Sequence, residues 1–258
     1  MNNPTTRFTD RVENYIKYRP TYPMEVIEYL KSEGILRSDS VIADIGSGTG
    51  ISAELFLKNG NIVYGVEPNN EMRSAADRLL KDFTGFYSIN GTAEETALPG
   101  KSIDLIICAQ AFHWFDIPKT RTEFNRILKP EGRICLMWNE RKLDATPFLI
   151  DYEKLLLKYG TDYQNVRHEN IDENKLNDFF DHGYIKKTFP NMQVFDLAGV
   201  TGRLLSSSYT PQYNSTLYEP MLAELNRIFE KNQVNGKIEF LYDTNIYYSS
   251  LVSPKGSI

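Results

Sequence analysis

Between about residues 40 and 139 the chain alternates short β-rich apolar runs with segments of helical periodicity. That alternation constrains the fold more than any other feature, because it is the mark of a parallel sheet covered by helices on both faces. The runs fall at 41–45, 61–67, 85–89, 103–108 and 133–138. Between the second and third, Met72, Ala75, Ala76, Leu79, Leu80 and Phe83 recur at helical spacing and predict one apolar stripe of a helix starting near Asn70. Asp116 as N-cap, Pro118 in the first turn and Phe124, Ile127 and Leu128 facing inward predict another, broken by Pro130 and Gly132. Residues 22–30 read as a helix opened by proline and stopped at Gly34, packed on the sheet as an N-terminal addition. The expected class is a doubly wound α/β fold.

Beyond residue 140 the chain turns more helical and more polar, with 185–195 alternating as a strand and with β-rich runs at 237–242 and 245–248. At 258 residues a single domain is expected. Its parts are an N-terminal lid and helix at 1–37, a core at 38–139, a cap with one core strand at 140–235 and a C-terminal strand at 236–258. No apolar run approaches the roughly 18 residues of a membrane helix. Residues 1–11 are polar and lack a secretory stretch, so a cytoplasmic location away from the membrane is expected. A net charge of −5 disfavours a nucleic-acid surface and favours a small substrate. Cys108 and Cys135 lie inside apolar runs and read as free buried thiols. His113, His168 and His182 show no metal-ligand spacing, so no metal is expected.

Asp44-Ile45-Gly46-Ser47-Gly48-Thr49-Gly50 follows the first run and opens a helix, which places glycines where a tight turn must approach a ligand. Ile51 stands where a dinucleotide fingerprint would need glycine, and no Lys-Ser/Thr pair follows for a triphosphate. About twenty residues on, Glu67 closes the second run, where a carboxylate accepts hydrogen bonds from both hydroxyls of a ribose.

These residues resemble motif I and its acidic partner in the class I S-adenosylmethionine-dependent methyltransferases, of the type 11 domain. Gly91-Thr92-Ala93-Glu94, followed by Leu98-Pro99 and the run ending at Cys108, resembles the family segment that faces the adenine, with Thr92 where the family usually has Asp. Residues 123–133 resemble the family's helix, turn and fifth strand. Residues 15–23, Ala111 to Asp116 and Gly202 to Pro211 are similar to the trans-aconitate methyltransferase-like branch of small-molecule enzymes. The resemblance implies a Rossmann-like, seven-stranded, mostly parallel sheet with an antiparallel C-terminal strand. It also implies S-adenosylmethionine as cofactor, S-adenosylhomocysteine as product and a small-molecule acceptor.

On that resemblance the cofactor residues are Tyr18, Arg19, Asp44, Gly46, Ser47, Gly48, Gly50, Glu67, Pro68, Met72, Thr92, Ala93, Glu94, Cys108, Ala109 and Gln110. The carbonyls of Cys108 and Ala109 are expected to take the ammonium group, and Arg19 the carboxylate. Tyr15, His113, Arg203, Ser207 and Tyr209 are the substrate-side candidates. Trp114 and Tyr15 would lie against the sulfonium or adenine. His113 would serve as base for a hydroxyl or amine, or only position the acceptor; a carboxylate needs no base. A nicotinamide-dependent oxidoreductase shares the fold but is disfavoured by Ile51 and by the lack of a Tyr-x-x-x-Lys pair in a suitable place. A non-catalytic S-adenosylmethionine-binding module is the third reading. A monomer or weak homodimer is expected.

Overall fold

The computed structural model describes residues 16–161, 163, 173–180 and 183–249. Seven strands form one sheet in the order β3-β2-β1-β4-β5-β7-β6. They are β1 (Val41–Ile45), β2 (Ile62–Val66), β3 (Phe86–Ile89), β4 (Ile103–Ala109), β5 (Leu128–Arg141), β6 (Ile185–Phe195) and β7 (Ile238–Ser249). The first five pair in parallel, and β7 runs antiparallel to both β5 and β6. The order reverses between β1 and β4, which opens a crevice at the carboxyl ends of these strands.

Alternate side chains of the central strands feed two cores. Ala43, Ile45, Ile106, Cys108, Leu136 and Trp138 point to one face. There they meet Phe124 and Ile127 of α4 (Ile117–Ile127) and Phe179 of α6 (Glu173–Phe179). Ile42, Val63, Leu105, Ile107, Cys135 and Met137 point to the other face. They meet α1 (Glu25–Ser32) through Val26, Ile27 and Leu30, and α2 (Ile51–Lys58) through Phe56. A third cluster joins α5 (Pro147–Tyr159), α7 (Leu197–Leu205) and α8 (Tyr218–Asn232) to the amino-terminal half of β7.

The sequence expectations hold for the helix at Asn70, which is α3 (Asn70–Leu79), and for the Asp116 cap, whose side chain accepts from the Lys119 amide. Three boundaries differ. Leu79 is 44% exposed rather than inward, while Leu80, at the helix end, is buried. The fifth strand runs well past 133–138 at both ends, because its pairing with β7 continues to Arg141 opposite Tyr242 and a register shift against β4 takes in the Pro130–Gly132 turn. The two C-terminal runs are one strand, since Thr244 keeps its place in the ladder by bonding Asn139 Oδ1 through its hydroxyl (2.5 Å).

Among the described residues no helix is long and apolar enough to cross a membrane. No cluster of three or more His, Cys, Asp or Glu among them is arranged to hold a metal ion. Both cysteines are buried and free.

Candidate active site

One cavity of about 330 Å³ opens where β1, β2, β4 and β5 end. Its floor is the glycine loop. Gly46 sits at φ +70°, and a Cβ there would lie 2.6 Å from the Ala111 Cβ, so only glycine lets the loop after β1 pass under the segment after β4. The amides of Gly46 and Ser47 both donate to the Val66 carbonyl (2.8 and 3.2 Å), tying the loop to the end of β2.

Asp44, at the end of β1, is fully buried; Oδ2 accepts from Ser52 Oγ (2.7 Å) and Oδ1 has no partner among the described residues. Burial pushes its carboxyl up to about 7 against the hydrogen bonds from Ser52 and the Ala53 amide, and the nearby Glu67 charge adds to the rise. Glu67 follows β2 directly. Its Oε2 accepts from the Gly48 amide (3.0 Å) and its Oε1 from the Asn69 amide (2.8 Å). Burial raises its pKa too, with those two backbone bonds pulling the other way. Pro68, Asn69 and Met72 continue this wall, and Asn69 caps α3 by accepting from the Met72 amide (2.9 Å).

Thr92, Ala93 and Glu94 form a third wall. Thr92 Oγ1 accepts from the Glu95 amide (3.2 Å), and Glu94 Oε1 from the Asp116 amide (2.9 Å), so this loop is stitched to the start of α4. Gln110 lies at φ +56°, a conformation that non-glycine residues adopt at a cost and that clusters at functional sites. Its amide donates to the Met137 carbonyl (2.9 Å), its Nε2 donates to the Asn139 carbonyl (3.1 Å), and its Oε1 is buried without a partner among the described residues. His113 and Trp114 follow on one turn of 3₁₀ helix, their ring centroids 4.7 Å apart, with Trp114 38% exposed at the rim. Phe112 anchors the turn in the core against Phe179 and Trp138.

The roof comes from both ends of the chain. Arg19 lines the cavity and donates from Nη2 to the Ser206 carbonyl (3.1 Å), while Asn139 Nδ2 reaches the Thr21 carbonyl (3.2 Å). Arg203 on α7 donates from Nε to the Tyr242 hydroxyl (3.2 Å) and from Nη1 to Ser207 Oγ (3.2 Å) and Ser206 Oγ (3.4 Å). Beside it Arg141, at the end of β5, binds Glu153 Oε2 and the Tyr163 hydroxyl through Nη2.

Most of the residues singled out from the sequence therefore share this wall: Arg19, Gly46, Ser47, Gly48, Glu67, Pro68, Met72, Thr92, Ala93, Glu94, Ala109, Gln110, His113, Trp114, Arg203 and Tyr209. Five others stand behind it. Tyr18 packs its ring on Gly202, where a Cβ would come within 2.0 Å, and edge-on to Phe195. Asp44 braces Ser52 beneath the loop, and Gly50, at φ +87°, precedes α2 under Leu80. Cys108 is paired within the sheet opposite Leu136 with its side chain in the core. Ser207 is buried behind Arg203, and Ser208 reaches the cavity instead. Tyr15 lies outside the described residues. The sequence reading missed Asn69, Asn139, Arg141, Tyr163 and Tyr242, which line the cavity. Asn139 and Arg141 lay just past a strand end that the sequence placed at Trp138, and a longer strand would have exposed them.

Residues 43–136 match the model of the methyltransferase domain family. An uncharacterised methyltransferase-like protein of Schizosaccharomyces pombe is 32% identical over 156 residues, covering 60% of this chain and 59% of that protein. An uncharacterised methyltransferase of Mycobacterium bovis is 36% identical over 134 residues, 52% of each chain. This chain thus aligns with only about half to three-fifths of the length of these relatives. A type II methyltransferase candidate from Anaeromyxobacter dehalogenans shares the fold at a TM-score of 0.64 and 15% identity, covering 91% of this chain and 99% of that one. The glycine loop, Glu67 and β4 all fall inside the segment that matches the methyltransferase domain family, and the chain shares its Rossmann-like fold with the Anaeromyxobacter protein.

Proposed function

We propose that the protein is an S-adenosylmethionine-dependent methyltransferase that delivers the methyl group to an oxygen, carboxylate or hydroxyl, of a small-molecule acceptor. The observation that carries this reading is Glu67: each carboxylate oxygen is held by one backbone amide at the mouth of the glycine loop, and each keeps a lone pair for a ribose hydroxyl. The chain also fits the cofactor at Gly48, where an added Cβ would meet nothing within 4 Å and so leaves room for a ligand against the loop. No lysine follows the loop to bind a triphosphate, and the amino-acid end of the cofactor needs only space and polar partners such as Arg19 and Gln110.

The cofactor supplies an electrophilic methyl group on a positively charged sulfonium and leaves as S-adenosylhomocysteine. The chain's own residues align and enclose the reactants. Glu67 fixes the ribose, Met72 and Ala93 give an apolar bed for the adenine, and Glu94 is the acidic group beside it. Trp114 offers a ring face that favours a cation and excludes water. His113 takes the proton of a hydroxyl acceptor, whereas a carboxylate acceptor needs no base. The net charge of −5 suits a small-molecule partner rather than nucleic acid, and the enzyme acts in the cytoplasm as a monomer or weak homodimer.

Calorimetric titration with S-adenosylmethionine and S-adenosylhomocysteine tests the reading. Wild type is expected to bind both, and Glu67→Ala to bind about tenfold more weakly or worse. Absence of binding by wild type would overturn it.

A further inference from the structure

Glu67 is held by its backbone as well as by its carboxylate. The amides of Gly48 and Asn69 take the two carboxylate oxygens, and the Glu67 amide donates to the Ile89 carbonyl (3.0 Å) at the end of the β2–β3 ladder. The remaining group, the Glu67 carbonyl, accepts from Nη1 of Arg73 on α3 (2.8 Å). The same nitrogen reaches the Pro68 carbonyl (3.3 Å) and Asn90 Oδ1 (3.2 Å), and Nη2 donates to Asn70 Oδ1 (3.0 Å). One guanidinium thus joins the residues after β2, the residue after β3 and the start of α3.

The helix itself does not account for a cation there. The amino end of α3 is positively polarised, so a guanidinium folded back over it is disfavoured by the helix field. Two successive carbonyls, those of Glu67 and Pro68, meeting one nitrogen supply the compensating negative ends. The link to the carboxylate is the Pro68–Asn69 peptide. It is planar and trans, with its carbonyl and its amide fixed on opposite edges. Arg73 takes the Pro68 carbonyl, and the Asn69 amide of that same unit donates to Glu67 Oε1. Holding one edge of the plane therefore aims the other at the carboxylate. Burial disfavours the ionised form of Glu67, and the Asn69 and Gly48 amides and the Arg73 charge oppose that effect.

Resting on the cofactor reading of Glu67 above, we propose that Arg73 is a positioning residue for the cofactor's ribose, locking the Pro68–Asn69 peptide so that both Glu67 oxygens are presented to the two hydroxyls. It stands outside the cavity lining and acts through Glu67. Without it the peptide is free to turn, and the Glu67 Oε1 side of the contact loses its fixed direction. A lysine at the same place carries the charge but has no planar fork to span the two carbonyls and the Asn70 and Asn90 side chains together.

The test compares S-adenosylhomocysteine with its 2′,3′-dideoxy analogue, which lacks both ribose hydroxyls, by calorimetric titration of the full chain. Wild type is expected to bind the dideoxy analogue at least about thirtyfold more weakly, as two lost hydrogen bonds to a carboxylate require. Arg73→Met is expected to shrink that ratio at least about fivefold, with affinity for the dideoxy analogue within about twofold of wild type. Arg73→Lys is expected to fall between the two. Binding of the dideoxy analogue at wild-type strength also shows that a variant is folded. A ratio unchanged in Arg73→Met, or an equal loss for both ligands, would overturn the proposal. Should Arg73→Met not fold, Arg73→Lys decides: a smaller ratio supports the proposal, and a wild-type ratio overturns it. Two outcomes strike the cofactor reading instead: no binding of S-adenosylhomocysteine by wild type, or a ratio that survives Glu67→Ala.

Discussion

At the scale of single residues, the glycine loop separates two roles that its sequence alone leaves merged. Gly46 and Gly48 both adopt positive φ, but a Cβ at Gly46 runs into Ala111 whereas a Cβ at Gly48 projects into open space. Gly46→Ala therefore carries a steric collision on top of backbone strain, and is expected to lose about 2–4 kcal/mol of stability in urea denaturation. Gly48→Ala carries the strain alone, about 1–2 kcal/mol, and shows its larger effect as weakened S-adenosylhomocysteine binding. If Gly48→Ala proved the less stable of the two while binding normally, the assignment of the open space to a ligand would be wrong. The same contrast shows what could be read from sequence. Glu67 was legible because its place is set by local order, strand then turn. Arg141, Tyr163 and Tyr242 were not, because three distant segments bring them together and nothing in their neighbours marks the meeting.

Among the elements, the helix after β2 bears most directly on the site. Asn69 satisfies the Met72 amide with its side chain, while its own amide donates to Glu67 Oε1, so the start of α3 and the orientation of the Glu67 carboxylate depend on one residue. Asn69→Ala keeps the backbone bond and removes the cap; it is expected to cost about 1 kcal/mol in thermal or chemical unfolding. Asn69→Asp should retain the cap but set a second negative charge beside Glu67, and so weaken cofactor binding more than it alters stability. Calorimetry of the two variants next to their unfolding curves separates these effects. Elements of this kind were visible in the periodicity, since helix caps and apolar stripes are local signals. The end of β5 and the continuity of β7 were hidden for a physical reason: Asn139, Asp243 and Thr244 are polar, which reads as a break, yet cross-strand hydrogen bonds among Asn139, Asn191 and Thr244 and the Lys142–Asp243 ion pair hold them in the ladder.

For the whole molecule the seven-strand order, with its crevice between β1 and β4, sets Asp44 beneath the cavity, while Glu123 is buried on α4 against Thr96 and Arg126, and the two make stability depend on pH in opposite directions. Asp44 has its folded pKa raised from 3.8 to about 7, chiefly by burial. The native state then holds a proton that the unfolded chain has released, so Asp44's contribution is fully present below about pH 4 and is lost as pH rises toward about 7. Glu123 behaves in the opposite way. Hydrogen bonds from Arg126 lower its pKa from 4.5 to about 2 against the effect of burial, with Thr96 adding to the fall. Its contribution is present above about pH 4.5 and is lost as pH falls toward about 2. Between about pH 5 and 7 the two groups are separable, because Glu123 is ionised in both the folded and the unfolded chain while Asp44 keeps its proton only in the folded one. Asp44→Asn keeps the shape and a group able to bond Ser52 but has no proton to lose. Its stability relative to wild type is therefore expected to rise steadily between about pH 4 and 7, by an amount on the order of a few kcal/mol, and to level off above. Urea unfolding of both proteins at four or five pH values measures this difference directly. A flat difference across that window would mean that Asp44 stays ionised beneath the glycine loop, with Ser52 and the Ala53 amide outweighing its burial.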